Sequence, residues 1–136
     1  KQVTQHNLQE AFAGESQAHL RYLVYAEVAE REGLPNVARL FRAASLSEQI
    51  HAANHLRQLG GVGITAQNLK TAFGGEDFEV AEMYPAYNAV ATLQGEEGAL
   101  RSMTRALEAE KVHARLYSEA QKAVELKKRL TKVPGK

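Results

Sequence analysis

From Thr4 to about Glu32, apolar residues recur at helical spacing, Leu8, Phe12, Tyr22, Ala26 and Ala29 among them, with polar residues between. Thr4 stands where a hydroxyl could cap this first helix. Gly33-Leu34-Pro35 stops it, and Pro35 suits the first turn of the next helix because its missing N–H would have had no intrahelical partner. The second helix is expected to run to about Leu59. Gly60-Gly61-Val62-Gly63-Ile64 is the most glycine-rich stretch, and Thr65 then offers a new cap. A third helix follows to about Gln94 despite Pro85, and Gly95-Glu96-Glu97-Gly98 turns the chain into a fourth that ends near Arg129. No segment alternates apolar and polar residues as a half-buried strand would, so the expected class is all-α.

Composition narrows the partners and the chemistry. At 136 residues the chain suits one domain: a helix pair over 4–59, a glycine-rich linker over 60–65, a second pair over 66–129 and a loose tail over 130–136. Seventeen basic and sixteen acidic residues give a net charge of +1 without a block of one sign, so neither nucleic acid nor a membrane is implied as partner. The chain has no cysteine, which excludes thiolate metal sites within it and leaves nitrogen and oxygen donors for any metal. No apolar run approaches the ~20 residues of a membrane span, and the amino end lacks the apolar core of a signal peptide. The expected location is the cytoplasm.

The polar residues on the apolar stripes carry the chemistry. Glu48-Gln49-Ile50-His51 is echoed by Glu110-Lys111-Val112-His113, the two histidines lying sixty-two residues apart. Residues three apart on a helix lie within about 60° of each other, so a Glu and a His at that spacing can reach one metal ion. A carboxylate-bridged di-metal centre in a helical bundle takes Glu-x-x-His from two helices and a Glu from each of two others. Those further carboxylates are present upstream, in Phe12-Ala13-Gly14-Glu15 and Phe73-Gly74-Gly75-Glu76. Glu15 and Glu76 are sixty-one residues apart, so the chain reads as two copies of one helix pair with a one-residue insertion between Glu76 and the fourth helix. On the second helix Phe41, Ala44, Glu48, His51 and His55 follow one stripe, and on the fourth Ala106, Glu110, His113 and Tyr117 do the same. These stripes should face inward, where a carboxylate is costly unless it is paired or bound to a metal.

Tyr22 follows Glu15 by seven residues, whereas Tyr84 follows Glu76 by eight. The extra residue would turn Tyr84 by ~100° off the matching direction unless the helix absorbs it in a π-bulge, a feature frequent at functional sites. Pro85, which cannot donate to the preceding turn, adds to that case. Glu79, one turn after Glu76, gives the third helix a second candidate ligand. His19 lies one turn from Glu15 and His55 one turn from His51, and a solvated or structural role fits both better than metal binding. His6 is expected on the surface, and Met83 and Met103 as core filler.

Together, Phe12-Ala-Gly-Glu-Ser-Gln-Ala, Glu48-x-x-His51, Gly75-Glu76-x-x-Glu79 with Glu82-Met-Tyr-Pro, and Glu110-x-x-His113 resemble the motifs of the rubrerythrins, di-iron members of the ferritin-like superfamily. The likeness covers nearly the whole chain. It implies a ferritin-like four-helix bundle with two iron ions bound by Glu15, Glu48, Glu76, Glu79, Glu110 and His113, and it implies that His51 and Glu79 exchange at one iron as the oxidation state changes. Tyr22 and Tyr84 match the tyrosines that flank the ligands. Many rubrerythrins carry a cysteine-ligated rubredoxin domain, so this chain resembles the rubredoxin-less members, and its electron donor is expected to be a separate molecule such as a rubredoxin, unless these 136 residues are cut from a longer protein. The activity implied is reduction of hydrogen peroxide to water. Iron oxidation of the ferritin type and reduction of dioxygen are the alternatives, and manganese or zinc would also suit the donor set.

The linker bears on how the halves meet. In ferritin-like bundles the second and third helices run parallel, so their connection travels the length of the bundle. With Glu48 and Glu76 level, the chain from Leu59 to Ala66 would have to climb roughly 30 Å, and seven residue steps reach at most ~25 Å. Either the bundle is an up-down-up-down monomer, or two chains exchange helix pairs in a homodimer. The resemblance, which implies the parallel arrangement, favours the swapped dimer.

Overall fold

The computed structural model describes residues 1–131, and they are all-α. The helices are α1 (Gln2–Arg31), α2 (Pro35–Gln58), α3 (Thr65–Phe78), α4 (Tyr84–Gln94) and α5 (Glu97–Thr131), with a π-helical turn, Glu79–Met83, joining α3 to α4. Two compact units result, Lys1–Val62 and Gly63–Lys136. Among the described residues no helix is long and apolar enough to cross a membrane.

In the first unit α1 packs along α2. Gly33 makes the turn possible: its φ of 74° is left-handed, a conformation open to a residue without Cβ. The Gly33 N–H donates to the Glu30 carbonyl and the Leu34 N–H to the Ala29 carbonyl, the paired bonds that end a helix in a Schellman motif. Pro35 then starts α2 in its first turn, as its fixed φ favours. Near this turn Ala26, Ala29 and Ala38 are buried, with Phe41 packed against them. Alanines at the contact let the helix axes approach closely. Tyr22, Tyr25 and Phe41 form a group of rings with centroids 5.5 to 6.3 Å apart.

Thr4 is not the cap of α1. The helix begins two residues earlier, at Gln2, so Thr4 is an interior residue. Thr65 likewise lies inside α3 rather than before it, and Ile64 is the capping position. The start of α3 is held instead by amide side chains, Asn68 bonding both the N–H and the carbonyl of Gly63 while Gln67 Oε1 accepts from the Ile64 N–H. A side chain three or four residues into a helix can satisfy the free N–H groups at its start as well as a hydroxyl before it.

In the second unit α3, the π-turn and α4 all pack on α5. Gly95, with φ 70°, ends α4 as Gly33 ends α1, its N–H bonding the Thr92 carbonyl and that of Glu96 the Ala91 carbonyl. Gly33 and Gly95 are sixty-two residues apart, so the turn belongs to the duplicated unit. The fourth predicted helix continues to Thr131, and the remainder of the expected tail lies outside the described residues.

Candidate metal centre

Each unit converges three donors. In the first, α1 supplies Glu15 and α2 supplies Glu48 and His51; in the second, α3 supplies Glu76 and α5 supplies Glu110 and His113. Within each trio one donor atom per residue lies within 4.8 Å of the others, a spacing that one cation could bridge. His51 Nδ1 stands 3.2 Å from Glu15 Oε2 and 3.7 Å from Glu48 Oε1. His113 Nδ1 stands 3.3 Å from Glu110 Oε2 and 3.9 Å from Glu76 Oε1. The i,i+3 spacing of each Glu-x-x-His therefore does what helix geometry requires, bringing both heads to one point, and the neighbouring helix adds the third donor.

The partners of Glu48 and Glu110 in these trios are histidines, not the Arg or Lys that a structural ion pair would supply. Burial differs from the inward-facing expectation in one respect: the carboxylates of Glu48, Glu76 and Glu110 are only 19–22 % exposed, but the rings of His51 and His113 are about half exposed, at 50 % and 49 %. Each histidine sits at the rim of its helix pair because it follows its glutamate by three residues, which turns it ~60° from that carboxylate toward the open face.

The electrostatics fit a cation. The hydrogen bond shared with Glu48 holds the Glu15 carboxyl below its ordinary range, and His51 adds to that effect. The same bond pushes Glu48 up, helped by burial and by the charge of Glu15. Two carboxylates so close can both ionise only at a cost, which a divalent ion between them would relieve. In the second trio the buried Glu76 Oε2 has no hydrogen-bond donor. A buried carboxylate oxygen without a donor is expensive, and a metal would supply the missing positive partner.

The other residues singled out from the sequence are placed as follows. Glu79, half-buried, is the first residue of the π-turn and stands outside the second trio. The π-turn occupies residues 79–83, between Glu76 and Tyr84, where the repeat requires its extra residue, so the insertion is absorbed as a widened turn and the helix continues. Tyr22 is half-buried among Tyr25 and Phe41. Tyr84, also half-buried, meets Tyr87 edge-on at 6.4 Å. The His113 ring lies 6.5 Å from that of Tyr117. His19 turns out to be structural, bonded to Ser45 on α2. Ser45, 1 % exposed, carried no signal in the sequence, because a serine within a helical stripe is indistinguishable from small filler until its partner is known.

Paired helices bearing Glu and Glu-x-x-His trios, with a π-turn in one of them, define an all-helical carboxylate–histidine metal protein of the ferritin-like kind. The rubrerythrin family model matches residues 6–121, and the chain belongs to that family of di-iron oxidoreductases. It is 44 % identical over 128 residues to rubrerythrin-2 of Clostridium acetobutylicum, an alignment covering 84 % of this chain and 70 % of that one. With nigerythrin of Nitratidesulfovibrio vulgaris it shares 34 % identity, over 86 % of this chain and 65 % of the relative. For the rubrerythrin of Porphyromonas gingivalis the identity is 33 %, over 84 % and 64 % respectively. The chain thus spans about two-thirds of the length of these relatives. Among solved structures it is similar to fully reduced, all-ferrous nigerythrin, with 32 % identity over 90 % of this chain and 67 % of that chain, at a TM-score of 0.47.

Proposed function

We propose that the two trios are the halves of one di-iron centre, and that the protein reduces hydrogen peroxide to water with electrons from a donor outside these 136 residues, such as a rubredoxin. The observation that carries this reading is the pair of matching trios, each with two carboxylates and one imidazole, because neither alone supplies the ligands that two bridged metals need. Two bound ferrous ions would supply the two electrons that, with two protons, convert one peroxide to two waters.

The chain's residues would divide the work. Glu15, Glu48, Glu76, Glu110 and His113 hold the metals, the anionic carboxylates favouring the higher oxidation state. Glu79 and His51 are the adjustable pair: Glu79 stands in a widened turn with looser backbone geometry, and His51 is a neutral donor at an exposed rim. An exchange of neutral His51 for anionic Glu79 would match donor charge to the metal's oxidation state. Tyr22 and Tyr84 follow Glu15 and Glu76 by about two turns on the repeated helices, and their phenols are assigned to holding or passing a proton. The nitrogen and oxygen donor set would also accept manganese or zinc.

The ligands come from both helix pairs, and the linker between them is short. We therefore infer a homodimer in which the helix pairs of two chains combine. Support comes from the apolar surface each unit leaves open, including Leu20, Leu40 and Ile50 in the first and Val90, Leu93 and Val112 in the second. A second copy would cover such surface.

Stopped-flow oxidation of the anaerobically reduced, iron-loaded protein separates the functions. Rapid oxidation by stoichiometric peroxide and much slower oxidation by air is the expected result; the reverse order would favour dioxygen as oxidant. Storage of oxidised iron would need a hollow shell of many subunits, so a mineral-filled particle in size-exclusion chromatography would overturn the peroxidase reading.

A further inference from the structure

Ser45 is the one buried polar residue among the described residues, and it is bonded across the helix pair rather than to its own helix. Its hydroxyl donates to the His19 carbonyl at 2.8 Å. A serine inside a helix ordinarily turns back to the carbonyl one turn earlier, so this hydroxyl has been drawn to α1 instead. On the other side, His19 Nδ1 lies 3.0 Å from the Ser45 carbonyl and 2.8 Å from Ser45 Oγ. A carbonyl only accepts, and the hydroxyl proton is already committed to the His19 carbonyl. A ring proton must therefore be at Nδ1, donated to Ser45.

The location of this lock gives it meaning. His19 follows Glu15 by four residues on α1, and Ser45 precedes Glu48 by three on α2. The helices run in opposite directions, so both steps lead the same way, about 4.5–6 Å along the pair from the donor trio. Two polar side chains and two carbonyls bonded there fix both the sliding and the rotation of α1 against α2. A slide of α1 by one residue would break every bond in the lock and carry Glu15 away from Glu48 and His51.

The second unit lacks the device. The repeat carries His19 onto Val80 and Ser45 onto Leu107, both apolar, and Val80 lies in the π-turn. One half of the ligand set is thus pinned by directional bonds, while the corresponding positions in the other are apolar, one of them in the widened turn.

We propose that His19 and Ser45 are a positioning pair that preforms the Glu15–Glu48–His51 trio for metal, acting through the ring Nδ1–H and not through a bond to the metal itself. The inference rests on the metal-centre reading above. Its test uses the full chain, with cobalt(II) as probe, and compares wild type with Ser45→Ala, His19→Ala and His19→Asn. Asparagine can place an amide N–H near the position of Nδ1 but offers nothing at Nε2.

Long-range proton–nitrogen correlation spectra of histidine-labelled protein should show His19 as the Nδ1–H tautomer. Cobalt affinity, read from its visible absorption, should fall about 10- to 100-fold in Ser45→Ala and His19→Ala, the range usual for residues that orient ligands. His19→Asn should bind close to the wild-type affinity. A His19→Asn protein as weak as His19→Ala would overturn the proposal, since the ring would then be acting through Nε2. A Ser45→Ala protein with lowered melting temperature but unchanged cobalt affinity would also overturn it, by reducing the pair to packing. A wild-type chain that binds no cobalt would overturn the metal-centre reading, and this inference with it.

Discussion

At the residue scale, Glu110 is the sharpest probe of the centre, because it approaches His113 within its own helix and faces Glu76 on α3. Glu110→Ala should leave the helices formed and cut bound iron to one per centre or fewer, as counted by elemental analysis; two irons with full peroxide turnover would refute its role. His51→Ala should retain iron in the oxidised protein, because the carboxylates remain, but slow re-reduction in single-turnover kinetics.

The Glu15–Glu48 pair sets a pH dependence whose sign can be worked out. Glu48 is pushed above the ordinary carboxylate value, so its contribution to the metal-free fold is fully present at low pH and is lost as pH rises through the raised value. Glu15 is held below the ordinary value, so its contribution is present above it and lost as pH falls through the lowered one. The metal-free protein should therefore melt highest between those two values, where the pair holds one proton. Glu48→Gln, which keeps a donor at every pH, should flatten the upper side of that maximum. Metal must displace the pair's proton, so its affinity should increase with pH across the same upper limb. Calorimetry in buffers of different ionisation enthalpy would register the proton released.

At the element scale, the π-turn is the decisive feature. Its sequence signature was an arithmetic mismatch: Tyr22 follows Glu15 by seven residues and Tyr84 follows Glu76 by eight. The mismatch, with Pro85 beside it, located the widened turn because a regular helix cannot keep both Glu76 and Tyr84 in phase with their counterparts. Removing Ala81 would restore the seven-residue spacing. The protein should keep its helical circular dichroism, since a shorter regular helix is no less stable than one with a bulge, but peroxide turnover should fall about tenfold or more as Glu79 loses its position. Helix starts were less legible. Thr4 and Thr65 are good capping residues by type, yet α1 begins before the first and Asn68 and Gln67 secure the start of α3 past the second. Propensity ranks residues one at a time, whereas a cap is decided by which side chain reaches the free N–H groups first.

At the scale of the whole molecule, the proposed homodimer has a test that does not depend on seeing it. A chain with Glu15→Ala and a chain with Glu110→Ala should each be inactive alone. If helix pairs exchange, their heterodimer carries one centre with both defects and one with neither, so mixing with subunit exchange should restore activity. Mixtures as inactive as their parents, with exchange verified, would rule out the swap. The dimer should also persist at nanomolar concentration, because separation would uncover both apolar faces.

The sequence by itself determined the all-α class, the duplication, the Glu and Glu-x-x-His spacings and the stretch that carries the extra residue. All of these are periodic: a helix converts spacing along the chain into direction in space, so ligands three, four or seven apart declare their common face without reference to any other element. Only the tertiary structure decided which donor atoms converge, that His51 and His113 stand at exposed rims, that Glu15 and Glu48 push each other's carboxyls in opposite directions, and that Ser45 bonds α2 to His19 on α1. Those facts join residues twenty-six to thirty-seven positions apart, and a contact between helices depends on how they rotate and slide against each other. No local spacing records that register; packing and directional hydrogen bonds fix it.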